Sequence, residues 1–209
     1  MTEVAQTVKN NCITLSGSST IVCEYLNYGV NSILFQRGIY PPESFSTTQQ
    51  YGLTIFMSKD EKITEFLKKV LAQAQDWISQ NKVEKISMVI TNAHTKETLE
   101  CWDFKIEGDT ENSVKENDKE ATSTKDLKRI QSEIRDVMRQ ISATVSFLPL
   151  LDCVCSFDVL IYTLRDTEIP DQWNNTEGVF IQNAQAVQLK SFSTGLHKMT
   201  TVVNYKMNL

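Results

Sequence analysis

Residues 126–163 read DLKRIQSEIRDVMRQISATVSFLPLLDCVCSFDVLIYT, and the fold turns on how this stretch is divided. Leu127, Ile130, Ile134, Val137, Ile141 and Val145 recur at three- and four-residue steps, which is the period of one helix face. Ser123 and Asp126 are candidate caps at its start, and Pro149 is expected to end it. The opposite face carries Ser132, Arg135, Asp136, Arg139, Gln140 and Ala143. A strand pattern follows. Cys153, Cys155, Phe157, Val159 and Ile161 fall on one face, with Val154, Leu160 and Tyr162 on the other. A strand apolar on both faces is expected to be covered on both sides. The remaining tail, residues 164–209, shows no helical period and cannot hold a core alone. It must dock on a body already folded, so its docking place governs function.

Working upstream, Ser18 or Ser19 is the expected cap of a first helix through Ile21, Val22, Tyr25, Leu26, Val30, Ile33 and Leu34, stopped by Gly38 and Pro41-Pro42. Residues 43–57 read as extended. Ser58 and Glu61 form a capping-box pattern. Behind it Ile63, Phe66, Leu67, Val70, Leu71, Ala74, Trp77 and Ile78 make the clearest helical stripe in the chain. Residues 86–91 and 101–106 predict a hairpin, with His94 a solvated residue of its loop. Residues 108–123 are polar and charged, which predicts a mobile surface loop inside one domain. In the tail, Val187 and Leu189 alternate, as do Thr201, Val203, Tyr205 and Met207, with a turn expected within 195–200. The tail is thus a β-hairpin in need of an edge to pair with. The predicted architecture is α+β, three helices on a small antiparallel sheet.

Composition narrows the function. The chain has 209 residues, 41% of them hydrophobic, and a net charge of -5. There is no basic cluster to meet phosphates, so nucleic acid is not expected as a direct partner. No apolar run approaches a membrane span, and the amino-terminal residues lack a secretion signal, so a soluble intracellular protein is expected, with no membrane partner. Five cysteines without a C-x-x-C pair read as small buried hydrophobes. Two histidines, His94 and His197, leave any zinc site to scattered ligands, and no metal or cofactor is expected. Neither a phosphate loop nor a nucleophile elbow is present. A Cys–His pair such as Cys153 and His197 meeting in space, or a cryptic nucleophile at Cys153 or Cys155, is the catalytic alternative the sequence leaves, and no catalytic residue is assigned.

Four segments carry a family resemblance: GVNSILFQRGIYPPESF (29–45), YGLTIFMS (51–58), IRDVMRQISATVSFLPLL (134–151) and CSFDVLIYT (155–163). They resemble the HORMA domain family, and the similarity runs from Ile13 to Lys206. The words RQISATVSFLPLL are closest to the branch that serves the spindle assembly checkpoint. The resemblance implies a single HORMA domain over 1–209, with a core of about 13–165, an acidic loop at 108–123 and a mobile C-terminal "safety belt" at 166–209. In the open state the belt pairs with the strand matching 153–163. In the closed state it crosses to the strand matching 98–107, and a partner peptide is added to the freed edge. That is β-augmentation, in which backbone hydrogen bonds give affinity and alternate side-chain pockets give selectivity.

The implied partners are a coiled-coil mitotic-arrest-deficient protein at kinetochores, the co-activator of the anaphase-promoting complex, and a second copy in an open–closed dimer. A HORMA-type antagonist and an ATPase remodeller are also implied, as is residence in nucleus, kinetochore and cytoplasm. The alternative is a HORMA adaptor of another pathway, such as a translesion DNA polymerase. By residue, the resemblance assigns peptide or belt contact to Trp77, Cys153, Val154, Cys155, Phe157, Val159, Ile161, Val187, Leu189, Val203 and Tyr205. Arg139, Gln140 and Ala143 are assigned to self-association, Leu15 to conversion, and Thr201 to possible phosphorylation. Periodicity alone reads Trp77, Phe157 and Leu15 as packing and the α-helical Arg-Gln pair as a solvated face. The chain departs from the family pattern at Phe35, Gly195 and Thr201, and in its longer acidic loop.

Overall fold

The first helix is apolar nearly all round, and that decides the layering: it can only lie between other elements. α1 (Leu15–Gln36) buries Tyr25, Leu26, Ile33 and Leu34 completely and packs between α2 (Glu61–Ser79), α3 (Leu127–Ala143) and one face of a sheet. The computed structural model describes residues 8–9, 12–109, 113–114 and 121–207. Two short strands, β1 (Val8–Lys9) and β2 (Cys12–Thr14), precede α1. A hairpin of β3 (Phe45–Gln50) and β4 (Leu53–Ser58) links α1 to α2, turning through Tyr51 and Gly52 at φ of 53° and 71°. Glycine takes that left-handed conformation freely, whereas Tyr51 adopts it under constraint.

The main sheet comprises β5 (Val83–Asn92), β6 (Thr98–Gly108), β9 (Cys155–Thr163), β10 (Ala184–Ser193) and β11 (His197–Lys206). Its order is β10-β11-β6-β5-β9, antiparallel throughout. Ile86, Met88, Ile90, Trp102 and Phe104 point into the core under the helices. At its centre Tyr25 meets Phe104 and Phe192 edge-on, with ring centroids 6.0 and 4.8 Å away. Val89 and Cys101, on the helix-free face, form a second small cluster with Ile181.

Caps and ends differ in detail from the sequence expectation. Thr14, not Ser18 or Ser19, caps α1 and accepts from the Gly17 amide. The two serines lie inside the helix, fully buried. Asp60, not Ser58, caps α2, because its carboxylate reaches both Lys62 N and Ile63 N. Asp126 caps α3, while Ser123 belongs to β8 (Thr122–Ser123), which pairs with β2 and with β7 (Ser113–Val114). This pairing tethers part of the segment read as a mobile loop, and Ser123 is fully buried. Residues 110–112 and 115–120 of that loop lie outside the described residues. α3 ends at Ala143, before Pro149, in a 3-10 turn that swings Val145 outward to 49% exposure instead of into the core.

One buried ion pair locks the connection into β9. Arg37, the residue that caps the end of α1, donates from Nε and Nη2 to Glu100 Oε1 at 2.8 and 2.5 Å. Nη2 also reaches the Pro149 carbonyl at 2.5 Å, and Trp102 Nε1 donates to the other Glu100 oxygen at 3.0 Å. Both side chains are almost wholly enclosed, so these bonds offset the desolvation of the charges.

Candidate peptide-binding channel

The strand order leaves β9 at one edge of the sheet. Its inner side pairs with β5 from Val83↔Thr163 to Asn92↔Cys155, and its outer side pairs with no strand among the described residues. The tail is what such an edge lacks, yet the tail sits elsewhere. β11 pairs with β6 from His197↔Gly108 to Tyr205↔Glu100, and β10 lies outside β11. The hairpin thus occupies the closed berth, at the opposite edge.

The chain between β9 and β10 must travel from one edge to the other, and it does so around the open side of β9. Leu164 N donates to Lys82 O at 2.9 Å and Trp173 N to Pro170 O at 2.9 Å, which turns the segment toward α2. There the Trp173 ring packs on Trp77, with centroids 5.5 Å apart. Further on, Val179 N donates to the Tyr162 hydroxyl at 3.3 Å, and Val179 and Ile181 pack with Leu160, Val89 and Cys101 on the helix-free face. The result is a strap that frames a cavity of about 930 Å³ beside the β9 edge. α2 contributes Phe66, Val70 and Trp77 to its wall, β9 contributes Val159 and Ile161, and the strap contributes Ile169 and Trp173. Charged side chains at the lining are Lys69 against Asp76, Asp158 and Glu177. An apolar slot along an unpaired strand edge accepts an extended peptide as an added strand about 4.8 Å from β9.

The predicted site residues divide into groups. Trp77, Val159 and Ile161 line the channel. Phe157 lies beneath, edge-on to Phe66 and Tyr40 at 5.8 and 6.2 Å. Cys155 opens β9, half-buried. Cys153 and Val154 precede β9 and stand away from the channel; Val154 is 65% exposed and its carbonyl accepts from Ala93 N. The expectation that both faces of this strand are covered therefore fails at Val154, beyond the reach of the strap. Val187, Leu189, Val203 and Tyr205 lie at the far edge, where they seat the hairpin on the core. Leu15 begins α1, half-buried.

On α3, Arg139 and Ala143 are exposed, whereas Gln140 departs from the solvated face read from the sequence. Its Oε1 accepts from Lys190 N at 2.5 Å, beside an Asp136–Lys190 ion pair of 3.1 Å. That amide is free because β10 carries a register shift between Gln188 and Ser191. Thr201 is 1% exposed, and its hydroxyl is 2.7 Å from that of Tyr25, so a kinase has no access to it while the hairpin sits on β6. The hairpin turn runs through Thr194 to Leu196, earlier than the expected 195–200, and Met207 falls outside β11.

Several contributors escaped the sequence reading. Trp173 seats the strap, and an isolated tryptophan in a polar loop was the available signal. His197 reads in the sequence only as a scattered zinc ligand and a remote catalytic candidate. Its Nδ1 lies 2.6 Å from Ser18 Oγ and its Nε2 3.1 Å from Asn81 Oδ1, which ties the hairpin to α1 and to the end of α2. Burial pushes the imidazole pKa below its ordinary value. Cys153 and Tyr205 line one small cavity at the other end of β11, and about 27 Å of strand separates Tyr205 from His197. Burial raises the thiols of Cys23 and Cys101 to about 12, and burial with Cys153 close by raises Cys155 to about 11, away from the reactive thiolate form. Asn204 reaches across to Asp103 on β6 at 3.1 Å.

Comparison with known proteins agrees with this geometry. The HORMA domain family matches over residues 18–197. The chain is 46% identical to the human mitotic spindle assembly checkpoint protein MAD2A over 195 residues, covering 93% of each protein. It is 36% identical to the mitotic spindle checkpoint component MAD2 of Saccharomyces cerevisiae over 196 residues, covering 93% of this chain and 97% of the relative. Among solved structures, a chain from the crystal structure of the mitotic checkpoint complex superposes with a TM-score of 0.81 at 40% identity, covering 91% of this chain and 99% of that one. C. elegans HTP-2 bound to the HIM-3 closure motif shares the fold, with a TM-score of 0.75 at 14% identity over 99% of this chain and 97% of that one.

Proposed function

The chain belongs to the HORMA domain family, and from that premise we propose that it works as a spindle assembly checkpoint protein that captures partner peptides as an added strand on β9. The observation that carries the reading is the placement of the hairpin on β6, which leaves the β9 edge open beneath a strap that closes over it. A guest strand gains backbone hydrogen bonds from β9 and apolar contact from Trp77, Val159 and Ile161. Release requires the strap to lift, so affinity is expressed mainly as a slow off-rate.

The partners proposed are a coiled-coil mitotic-arrest-deficient protein at kinetochores and the co-activator of the anaphase-promoting complex, whose sequestration restrains that ligase until kinetochores attach. Self-association through the α3 face of Arg139, Gln140 and Ala143, and removal by a HORMA-type antagonist with an ATPase remodeller, complete the cycle. The work is that of an adaptor, not an enzyme; the raised thiols and the separation of Cys153 from His197 support this. Residence at kinetochores, in the nucleus and in the cytoplasm goes with that role. An adaptor role in another HORMA pathway has less support, because the relatives at 36–46% identity are named for the spindle checkpoint.

The test uses a labelled synthetic peptide from the co-activator. The full chain is expected to hold it for hours. A variant lacking residues 199–209, checked for helix content by circular dichroism, is expected to release it within seconds. Equal retention by both chains refutes closure by the strap.

A further inference from the structure

An unpaired strand edge carries amides that need acceptors, and β9 answers that need from its own side chains. Val159 N donates to Asp158 Oδ1 at 2.8 Å. Val159 sits opposite Met88 on β5, and its side chain is buried. Asp158 is exposed and lines the channel. An N–H aimed at a carboxylate in the channel is aimed away from β5, into the position that an added strand would fill. The carboxylate therefore stands where the first carbonyl of a guest would stand.

We propose that Asp158 is a placeholder for the guest strand, its carboxylate holding the Val159 amide until a guest carbonyl displaces it. The proposal rests on reading the channel as a strand site and names the residue that sets the threshold for entry. Physically the placeholder does two things. It satisfies a backbone donor that would otherwise advertise the edge to any extended chain, which is how natural sheets suppress edge-to-edge association. It also requires a guest to replace a charge-assisted hydrogen bond by a neutral one, so weak or misregistered strands are turned away. Asp158 is thus a positioning residue that tunes selectivity through the main chain, whatever side chains the guest carries.

The decisive readout is the amide proton of Val159, followed by nuclear magnetic resonance in the empty full-length chain. Its shift is expected to move in Asp158→Ala, where the amide loses its carboxylate acceptor, and to move less in Asp158→Asn, which keeps a neutral one. The difference between the native chain and Asp158→Ala is expected to vanish once both are loaded with the labelled peptide. In capture assays Asp158→Ala is expected to associate with the peptide about fivefold faster than the native chain, and Asp158→Asn, which keeps a neutral acceptor of roughly half the strength, falls between them. A Val159 amide insensitive to the carboxyl, or an alanine variant that captures no faster than the native chain, overturns the proposal. Failure of the native chain to capture any peptide refutes the channel reading instead, while the amide shift in the Asp158 variants still decides the role of Asp158.

Discussion

Substituting Asn204 by alanine isolates one bond between the belt hairpin and its berth. Asp103 on β6 is 8% exposed. Its Oδ1 accepts from Lys85 Nζ at 3.1 Å, from the Ser87 hydroxyl and from Cys101 Sγ at 3.6 Å. Among the described contacts, Oδ2 accepts only from Asn204 Nδ2, at 3.1 Å. The three donors to Oδ1 belong to β5 and β6 and stay when the hairpin leaves. Asn204 belongs to β11 and leaves with it. A hydrogen bond to a charged acceptor contributes about 1.5–3 kcal/mol, and the half-buried position of Asn204 places this one near the lower end, about 1.5 kcal/mol. That energy acts on docking of the hairpin on β6 and corresponds to roughly a tenfold change in its equilibrium. Because release follows undocking, Asn204→Ala is expected to speed dissociation of a trapped peptide about tenfold, with a much smaller change in association. Fluorescence-polarisation chase measurements on the full chain provide the assay. Asp103→Asn and the double variant complete a cycle in which the two single effects fail to add. A release rate within twofold of the native value refutes the assignment of this bond to the closed berth, and additive effects refute the contact itself.

Two further outcomes follow from buried groups. Glu100→Gln leaves the Arg37 guanidinium enclosed without its counter-charge, and urea unfolding is expected to show a loss of about 3–5 kcal/mol; a loss under 1 kcal/mol contradicts the role given to this pair. His197 has a pKa below its ordinary value of 6.5 because burial disfavours the charged form, so the unfolded chain takes up the proton first. Its contribution is full above about pH 6.5 and declines as pH falls through 6.5 toward the lower folded pKa. The melting temperature should therefore drop between pH 7.5 and 5.5, and His197→Asn should flatten that part of the profile. An unchanged slope in the variant shows that other groups cause it.

Much of this was written in local pattern. The stripe ending at Trp77 and the pairings of β5 with β6 follow from periods of 3.6 and 2, which the tertiary structure preserves. The alternation of Thr201, Val203 and Tyr205 also announced a one-sided strand, and all three side chains are buried. What local pattern does not hold is the identity of the neighbour. Gln140 looked solvated because nothing near it in sequence opposes it; the acceptor it offers is used by an amide that a bulge in β10 turns outward. Asp158 likewise reads as an ordinary exposed carboxylate until the strand order shows that the adjacent amide faces a vacant position. Caps slipped for a simpler reason: Ser58 and Asp60 both satisfy the composition rule, and only backbone geometry chooses between them.

The strap has a consequence beyond affinity. Together with β10, β11, β6, β5 and β9 it makes a ring, closed not by a covalent bond but by the ladder between β6 and β11. A segment lying between two folded domains cannot thread such a ring, since neither flank passes the aperture. For that cargo, loading and unloading must break the clasp and rebuild it, and the pace of exchange then belongs to the ring rather than to the thread.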